Sequence, residues 1–214
     1  MLAYLRSSPW PDAEILVVDD GSSDGTAQAA ERFPVGVLRN PGNRGKGYSV
    51  RQGMLQGAGD WLLFTDADLS APIEELVKLW KAAQAGGAAV AIGSRALDRS
   101  LIGVHQPAVR EQLGRFFNLV MRLVTGLPFW DTQCGFKLFE RRAARDIFSR
   151  QRLDGFGFDV EVLFLARVLG YRAVEVPVRW DHAPGTKVSA INGLQAFLDP
   201  LRVRWNHLRG RYRR

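Results

Sequence analysis

Short apolar runs alternate with segments of helical periodicity through the first half of the chain. Ile15–Val18 is an aliphatic run that stops at Asp19, Asp20 and Gly21, and Ser22–Arg32 then offers capping residues followed by an alanine-rich helix. Val35–Leu38 is a second strand, closed by Asn40, Pro41, Gly42 and Asn43, and Lys46–Gly57 forms the next helix. Trp61–Thr65 is a third strand, ending at Asp66, Ala67 and Asp68; Pro72 then opens a helix that runs to about Gln84, and Ala88–Gly93 is a fourth strand. Inside these runs the apolar residues are continuous, without polar alternation. That predicts strands buried on both faces: an α/β fold with a mostly parallel central sheet in a three-layer αβα arrangement.

The second half reads differently. Val109–Thr125 carries Leu113, Phe116, Phe117, Val120, Met121 and Val124 at helical spacing, which makes it amphipathic with a wide apolar face. Asp131–Phe139 reads as a compact loop or short strand, Ala143–Ile147 as helical, and Val160–Leu169 as an apolar helix ended by Gly170. Val174–Trp180 alternates as a strand, and Val188–Leu208 is helical apart from Pro200.

The chain has 214 residues, 46% of them hydrophobic, enough for one core and too many apolar residues for a disordered chain. Lys and Arg number 29 against 22 Asp and Glu, a net charge of +7. Much of the excess is local: Arg202, Arg204, Arg209, Arg211, Arg213 and Arg214 follow Pro200 with no acidic residue among them. The expected organisation is therefore one domain over residues 1–199 and a basic tail over 200–214 that faces an anionic partner. With the body near neutral and no reading module present, no nucleic-acid partner is expected. The lone cysteine, Cys134, cannot make an intramolecular disulfide, and no Cys/His spacing suggests zinc; reducing surroundings follow. Pro9 and Pro11 interrupt the apolar residues of Met1–Pro11, so that stretch reads as neither span nor signal peptide.

The polar residues fall at strand ends. Asp19/Asp20, Asp66/Asp68 and Ser94/Arg95 follow the C-terminal ends of predicted strands, where open α/β sheets bind ligands. Adjacent acids at Asp19 and Asp20 suit a sugar hydroxyl or a base N–H, and the turn lacks the GxGxxG spacing of a dinucleotide fingerprint. Asp66-Ala67-Asp68 has the spacing at which one carboxylate bonds a ribose while the other holds a divalent metal on a diphosphate, against the plainer reading of two helix-capping acids. Asn40–Gly47 is rich in glycine but fails the P-loop spacing; Lys46 can still reach anionic oxygens from it.

Taken together the motifs resemble the inverting glycosyltransferases of family 2, built on the GT-A fold, and among them the branch that acts on dolichyl and polyprenyl phosphates. The matching stretches are VVDDGSSDGT at Val17–Thr26, NRGKGYSVRQG at Asn43–Gly53, DAD at Asp66–Asp68, GSR at Gly93–Arg95, DTQCGFKLF at Asp131–Phe139, and VPVRW followed by GTKVS. The resemblance implies a GT-A domain that transfers a hexose, glucose from UDP-glucose, to dolichyl or polyprenyl phosphate. GDP-mannose as donor, or a noncatalytic nucleotide-sugar-binding protein at a membrane surface, are the alternatives.

Carried over by position, the resemblance implies that Asp19, Asp20, Lys46, Asp66 and Lys187 bind the donor, with Asp68 on Mg2+ or Mn2+. Arg95 and Arg110 would receive the acceptor phosphate, Arg115 being the alternative to Arg110. Asp131, Gln133 and Cys134 would line the reaction centre, and the loop of His182, Thr186 and Lys187 would close over it. A lipid-anchored acceptor implies a peripheral position at the cytoplasmic face of a membrane, reached by the basic tail and by the apolar face of Val109–Thr125, unless that face is core or a seam between two copies in a homo-oligomer. Family members open with an apolar strand ahead of the paired aspartates. Only Met1–Ser8 precedes the Pro9–Asp12 turn here, so the first strand is expected to be missing and donor binding to be weakened.

Overall fold

The computed structural model describes residues 1–104, 108–182 and 190–213. The chain begins with a short helix, α1 (Leu2–Ser7), followed by β1 (Leu16–Asp19), α2 (Thr26–Ala30), β2 (Gly36–Arg39), α3 (Lys46–Gln56) and β3 (Trp61–Thr65). A 3-10 turn leads into α4 (Leu76–Gly86), then come β4 (Val90–Ser94), β5 (Ile102–Val104) and α5 (Ala108–Thr125). The remainder is β6 (Phe136–Glu140), α6 (Arg141–Phe148), α7 (Phe158–Val168), β7 (Ala173–Pro177), β8 (Trp180–Asp181) and α8 (Ala190–Leu208).

The central sheet has the order β3-β6-β4-β7. β4 and β7 run parallel, and β6 lies between β3 and β4, antiparallel to both, so three of its four strands share one direction. β1 and β2 form a separate parallel pair, and β1 is not laddered to β3 among the described residues. Where an opening strand was expected to be missing, Leu2–Ser7 is helical, and Leu5 packs with Leu76 and Leu79 of α4.

Alternation along the central strands divides the core into two layers. Leu62, Phe64, Val90, Ile92 and Phe139 face a cluster closed by α6, α7 and Met121 of α5, while Ala91, Phe136 and Leu138 face the layer under α4. The three-layer arrangement follows from this two-sided burial. Val174–Trp180, expected as one strand, is broken after Pro177: β7 stays in the central sheet and β8 pairs with β5.

Residues 200–208 continue α8 through Pro200, so the sequence-based boundary at 199/200 falls inside a helix. Val203 and Asn206 on that helix are buried, and so is Tyr212 beyond it. The Tyr212 hydroxyl donates to Glu161 Oε1 at 2.6 Å, while Glu161 Oε2 accepts the backbone N–H groups of Arg152 and Leu153 at 2.9 and 2.8 Å. Burial pushes the Glu161 carboxyl up against the pull of these donors. The end of the chain is thereby pinned to the start of α7.

Candidate active site

The ends of β1, β3 and β4 and the entry to β6 converge on one edge of the molecule. β1 delivers Asp19 and Asp20. Asp19 is buried and accepts the Ser22 N–H at 3.3 Å. Asp20 accepts the N–H groups of Arg44 and Gly45 at 2.9 and 2.8 Å and the Asn40 amide at 2.8 Å. Partial burial disfavours its charge, and these donors outweigh that cost and hold its pKa below the ordinary value. Asp20 thus fastens the 40–45 loop to the end of β1. Gly21 sits at φ 76°, and a Cβ there would lie 2.5–2.8 Å from the backbone of Gly42 and Asn43, so only glycine admits this approach.

The fastened loop opens α3 and places Lys46 against the end of β3. Lys46 Nζ lies 2.7 Å from Asp66 Oδ1. Burial opposes the Lys46 charge, but the fields of Asp159 and then Asp66 prevail and raise its pKa, so the ammonium stays charged. Asp66 is held from the other side: its N–H donates to Gly135 O at 3.1 Å, and a Cβ on Gly135 would fall 2.1–2.6 Å from its carboxyl group. Asp68 is exposed, with Oδ1 accepting the Ser70 N–H at 3.0 Å. Between them and the next helix, Leu69 adopts φ 52°, a left-handed conformation costly for a side chain of that size. That strain lies directly after the two carboxylates and turns the chain sharply there.

The opposite side is built on Asp131, whose side chain is 2% exposed. Its carboxylate takes Arg95 Nε at 2.6 Å, Arg95 Nη2 at 2.8 Å and the Arg95 N–H at 3.0 Å, a bidentate pair with a backbone bond added. Burial pushes the Asp131 carboxyl up, and Arg95 more than reverses it, so its pKa is lowered and it remains an anion. The Arg95 guanidinium lies over the Trp180 ring, 5.4 Å from its centroid. Glu175 on β7 accepts the N–H groups of Trp130 and Asp131, at 2.9 Å and 2.7 Å for the shorter bonds, and so fixes the loop that carries Asp131. Gln133 N–H donates to Asp131 Oδ1 at 3.2 Å, and its buried Nε2 has no partner among the described residues.

Asp19, Asp20, Lys46, Asp66 and Asp68 are thus linked through the 40–45 loop and the end of β3, and Arg95, Asp131 and Gln133 through the end of β4 and the turn into β6. Cys134 departs from expectation. Its thiol is buried in the apolar layer with Ala91 and Phe136, and burial pushes its pKa up to about 12, so it is a neutral core side chain. His182 is described, with its ring 6.0 Å from that of Trp180. The side chains of Arg110 and Arg115, and all of Thr186 and Lys187, lie outside the described residues. Sequence reasoning missed Glu175, Leu69 and two buried charges, Lys137 and Asp159. The available signal for the last two was a lysine inside the apolar run Phe136–Phe139 and an acid at the start of an apolar helix.

The Asp66–Asp68 ledge fits Mg2+ or Mn2+ in kind. Such ions take oxygen ligands and complete their shell with substrate phosphates and water, so one or two carboxylates on an open turn suffice. No cluster of three His, Cys, Asp or Glu side chains is gathered among the described residues, so any such ion would share its shell with a ligand.

A family model described as Glycosyl transferase family 2 matches residues 1–148. The chain is 33% identical to a dolichyl-phosphate beta-glucosyltransferase of Trichomonas vaginalis over 94% of its own length and 64% of that protein's. It is likewise 33% identical to the dolichyl-phosphate beta-glucosyltransferases of Saccharomyces cerevisiae and Homo sapiens, over 99% of this chain and 70% and 71% of theirs. The chain thus spans about two thirds of the length of these relatives. Among solved structures it superposes on mannosyl-3-phosphoglycerate synthase from Rubrobacter xylanophilus with a TM-score of 0.64 at 19% identity, covering 94% of this chain and 66% of that one. For glucosyl-3-phosphoglycerate synthase from Mycobacterium tuberculosis, crystallised with Mn2+, UDP-glucose and phosphoglyceric acid, the TM-score is 0.60 at 17% identity, over 86% and 67% of the two chains. These structures share the GT-A architecture, and with the family match covering most of its length, this chain belongs to glycosyl transferase family 2.

Proposed function

We infer that the protein transfers glucose from UDP-glucose to the phosphate of a dolichyl or polyprenyl lipid, inverting the anomeric carbon. The observation that carries this reading is the 131–135 turn, which takes the Asp66 N–H on Gly135 O beside the open Asp66–Asp68 ledge and, through the buried Asp131, holds the cation Arg95 in place. The ledge suits a diphosphate bound through a divalent ion. The cation suits a second anion brought up beside it.

In the reaction an anionic oxygen of the lipid phosphate attacks the anomeric carbon as the bond from that carbon to the UDP oxygen breaks, and UDP departs with the electron pair. A phosphate monoester has its second pKa at about 6, so the nucleophile is already largely ionised near neutral pH and needs no strong base. Asp131 accordingly stays an anion committed to Arg95 rather than taking a proton. Arg95 orients the acceptor phosphate and offsets repulsion between two anionic substrates, and Lys46 does the same on the donor side. A bound Mg2+ or Mn2+, held by Asp68 with Asp66 beside it, would stabilise charge on the leaving diphosphate.

A lipid acceptor is further supported by the α5–α8 face. Leu119 and Leu123 on α5 and Leu201, Trp205 and Leu208 on α8 are exposed, Leu123 by 75% and Leu208 by 76%. Arg122 stacks on Trp130 at 3.9 Å and Arg209 on Trp205 at 4.4 Å, the amphipathic composition of an interfacial surface. No described helix is long and apolar enough to cross a membrane. Peripheral attachment at the cytoplasmic face, with each arginine near an anionic leaflet contributing about 1 kcal/mol, fits this surface.

The test is a panel of UDP-glucose and GDP-mannose against dolichyl and polyprenyl phosphates, with Mn2+ present or chelated. Lipid-linked glucose that forms from UDP-glucose only with the metal is the expected result. Nucleotide-sugar binding without any lipid product would reject a transferase in favour of a binding protein.

A further inference from the structure

Beneath the donor side lies an ion pair that the reaction as described does not use. Lys137, on β6, is fully buried, as is Asp159 at the start of α7 to within 2%. Lys137 Nζ donates to the Asp159 carboxylate and, at 2.7 Å, to Cys134 O. It also lies 5.1 Å from the Phe64 ring centroid. A buried pair of this kind gains little over well-packed apolar side chains of the same volume, because both charges lose their hydration. Folding alone gives no strong reason for charges at this point.

Position supplies one. Phe158, the neighbour of Asp159, lies under Lys46, with the ammonium 5.9 Å from its ring centroid. The start of α3 is tied to the segment before α7: Tyr48 N–H donates to Asp154 O at 3.1 Å, and the Gln151 amide donates to Gly47 O at 2.8 Å. Two carboxylates hold Lys46 in its charged form: the field of Asp159, and the field and hydrogen bond of Asp66. Four charges therefore alternate inward from the ledge: Asp66, Lys46, Asp159, Lys137.

We propose that Asp159, itself fixed by Lys137, is a positioning residue for Lys46, supplying the second anion that keeps this ammonium at the donor site when Asp66 turns to the nucleotide sugar. Among the described residues the Lys46 ammonium is otherwise ion-paired only with Asp66, at 2.7 Å, a contact that donor binding must loosen for Asp66 to serve the donor. With Asp159 behind it, Lys46 transfers its charge to the donor phosphates without leaving its place. Lys137 has a second effect: through Cys134 O it anchors the turn that presents Asp131 and Gln133. The proposal rests on the donor-site reading above and adds to it a dependence of Lys46 on α7.

Calorimetric titration of UDP-glucose with Mn2+ into the wild type, Asp159→Asn, Lys46→Met and the double variant tests it. The expected result is weakening of about tenfold on Asp159→Asn when Lys46 is present and less than twofold in the Lys46→Met background, the non-additivity of directly coupled residues. Since Asp159→Asn leaves Lys137 uncompensated, Lys137→Met/Asp159→Leu is measured in the same two backgrounds and carries the same expectation. Equal weakening in both backgrounds, or none, overturns the proposal, as does failure of both variants to fold, which would make the pair a fold element only. Failure of the wild type to bind UDP-glucose overturns instead the donor-site reading, and this inference with it.

Discussion

Two ion pairs lie at the ends of β3 and β4, and their surroundings make them unlike. Lys46–Asp66 is a single contact of 2.7 Å between side chains 27% and 37% exposed. Arg95–Asp131 is a bidentate pair whose carboxylate is 2% exposed and further held by a backbone bond. The first carboxylate exchanges partners at low cost because water and ligand reach it. The second has no such freedom, and its N–H is anchored in turn by Glu175. A donor that brings its own metal needs the exchangeable pair, whereas an acceptor phosphate needs a cation already in place. On the proposed function, the same two charge types serve as a ligand ledge in one setting and a fixed electrostatic post in the other.

The largest separation between the pairs is expected in stability. Asp131→Asn removes one half of a buried ion pair and should cost about 3–5 kcal/mol in denaturant unfolding. Because the Asp131 pKa is lowered in the fold, its contribution is complete above the unfolded-state value of 3.8 and is lost as pH falls through the lower folded value. The variant should therefore show a flatter acid limb below about pH 4. An unchanged stability and acid profile would put Asp131 on a par with the open ledge and erase the contrast.

Next in size is a change confined to catalysis. Asp68→Asn should lower metal-dependent turnover on the order of 100-fold, with unfolding within about 0.5 kcal/mol of the wild type. Turnover equal to wild type would remove Asp68 from the metal site. Replacement of both Leu119 and Leu123 by Glu lies outside both pairs, on exposed positions of α5. It should reduce retention on anionic vesicles roughly tenfold in a sedimentation assay, with turnover on a short-chain, water-soluble acceptor phosphate unaltered. Equal retention would exclude this face as the membrane contact.

Much of this layout was legible in the sequence, for a physical reason. Strands buried on both faces must be apolar throughout, so the polar residues that follow them stand out, and Asp19/Asp20, Asp66/Asp68 and Arg95 all lie where such strands end. The reversed direction of β6 was not legible, since strand direction is set by pairing partners rather than by local pattern. Nor was the docking of the C-terminal segment, where a cluster of arginines conceals Val203, Asn206 and Tyr212 on the buried side. Lys137 and Asp159 escaped because each reads singly as a solvated charge, and only the fold brings β6 against α7 so that they neutralise each other. Cys134 was misplaced through its neighbours: it shares a short turn with Asp131 and Gln133 ahead of β6, but its thiol packs into the core with Ala91 and Phe136.

The most direct measurement supplies 13C-labelled UDP-glucose, Mn2+ and polyprenyl phosphate in anionic vesicles to the protein and reads the lipid extract by NMR. Glucose in the lipid phase as the β-anomer of a sugar phosphate, with UDP released in equal amount, is the expected result. An α-linked product, or free glucose in water with none in the lipid, would contradict inverting transfer to a lipid phosphate.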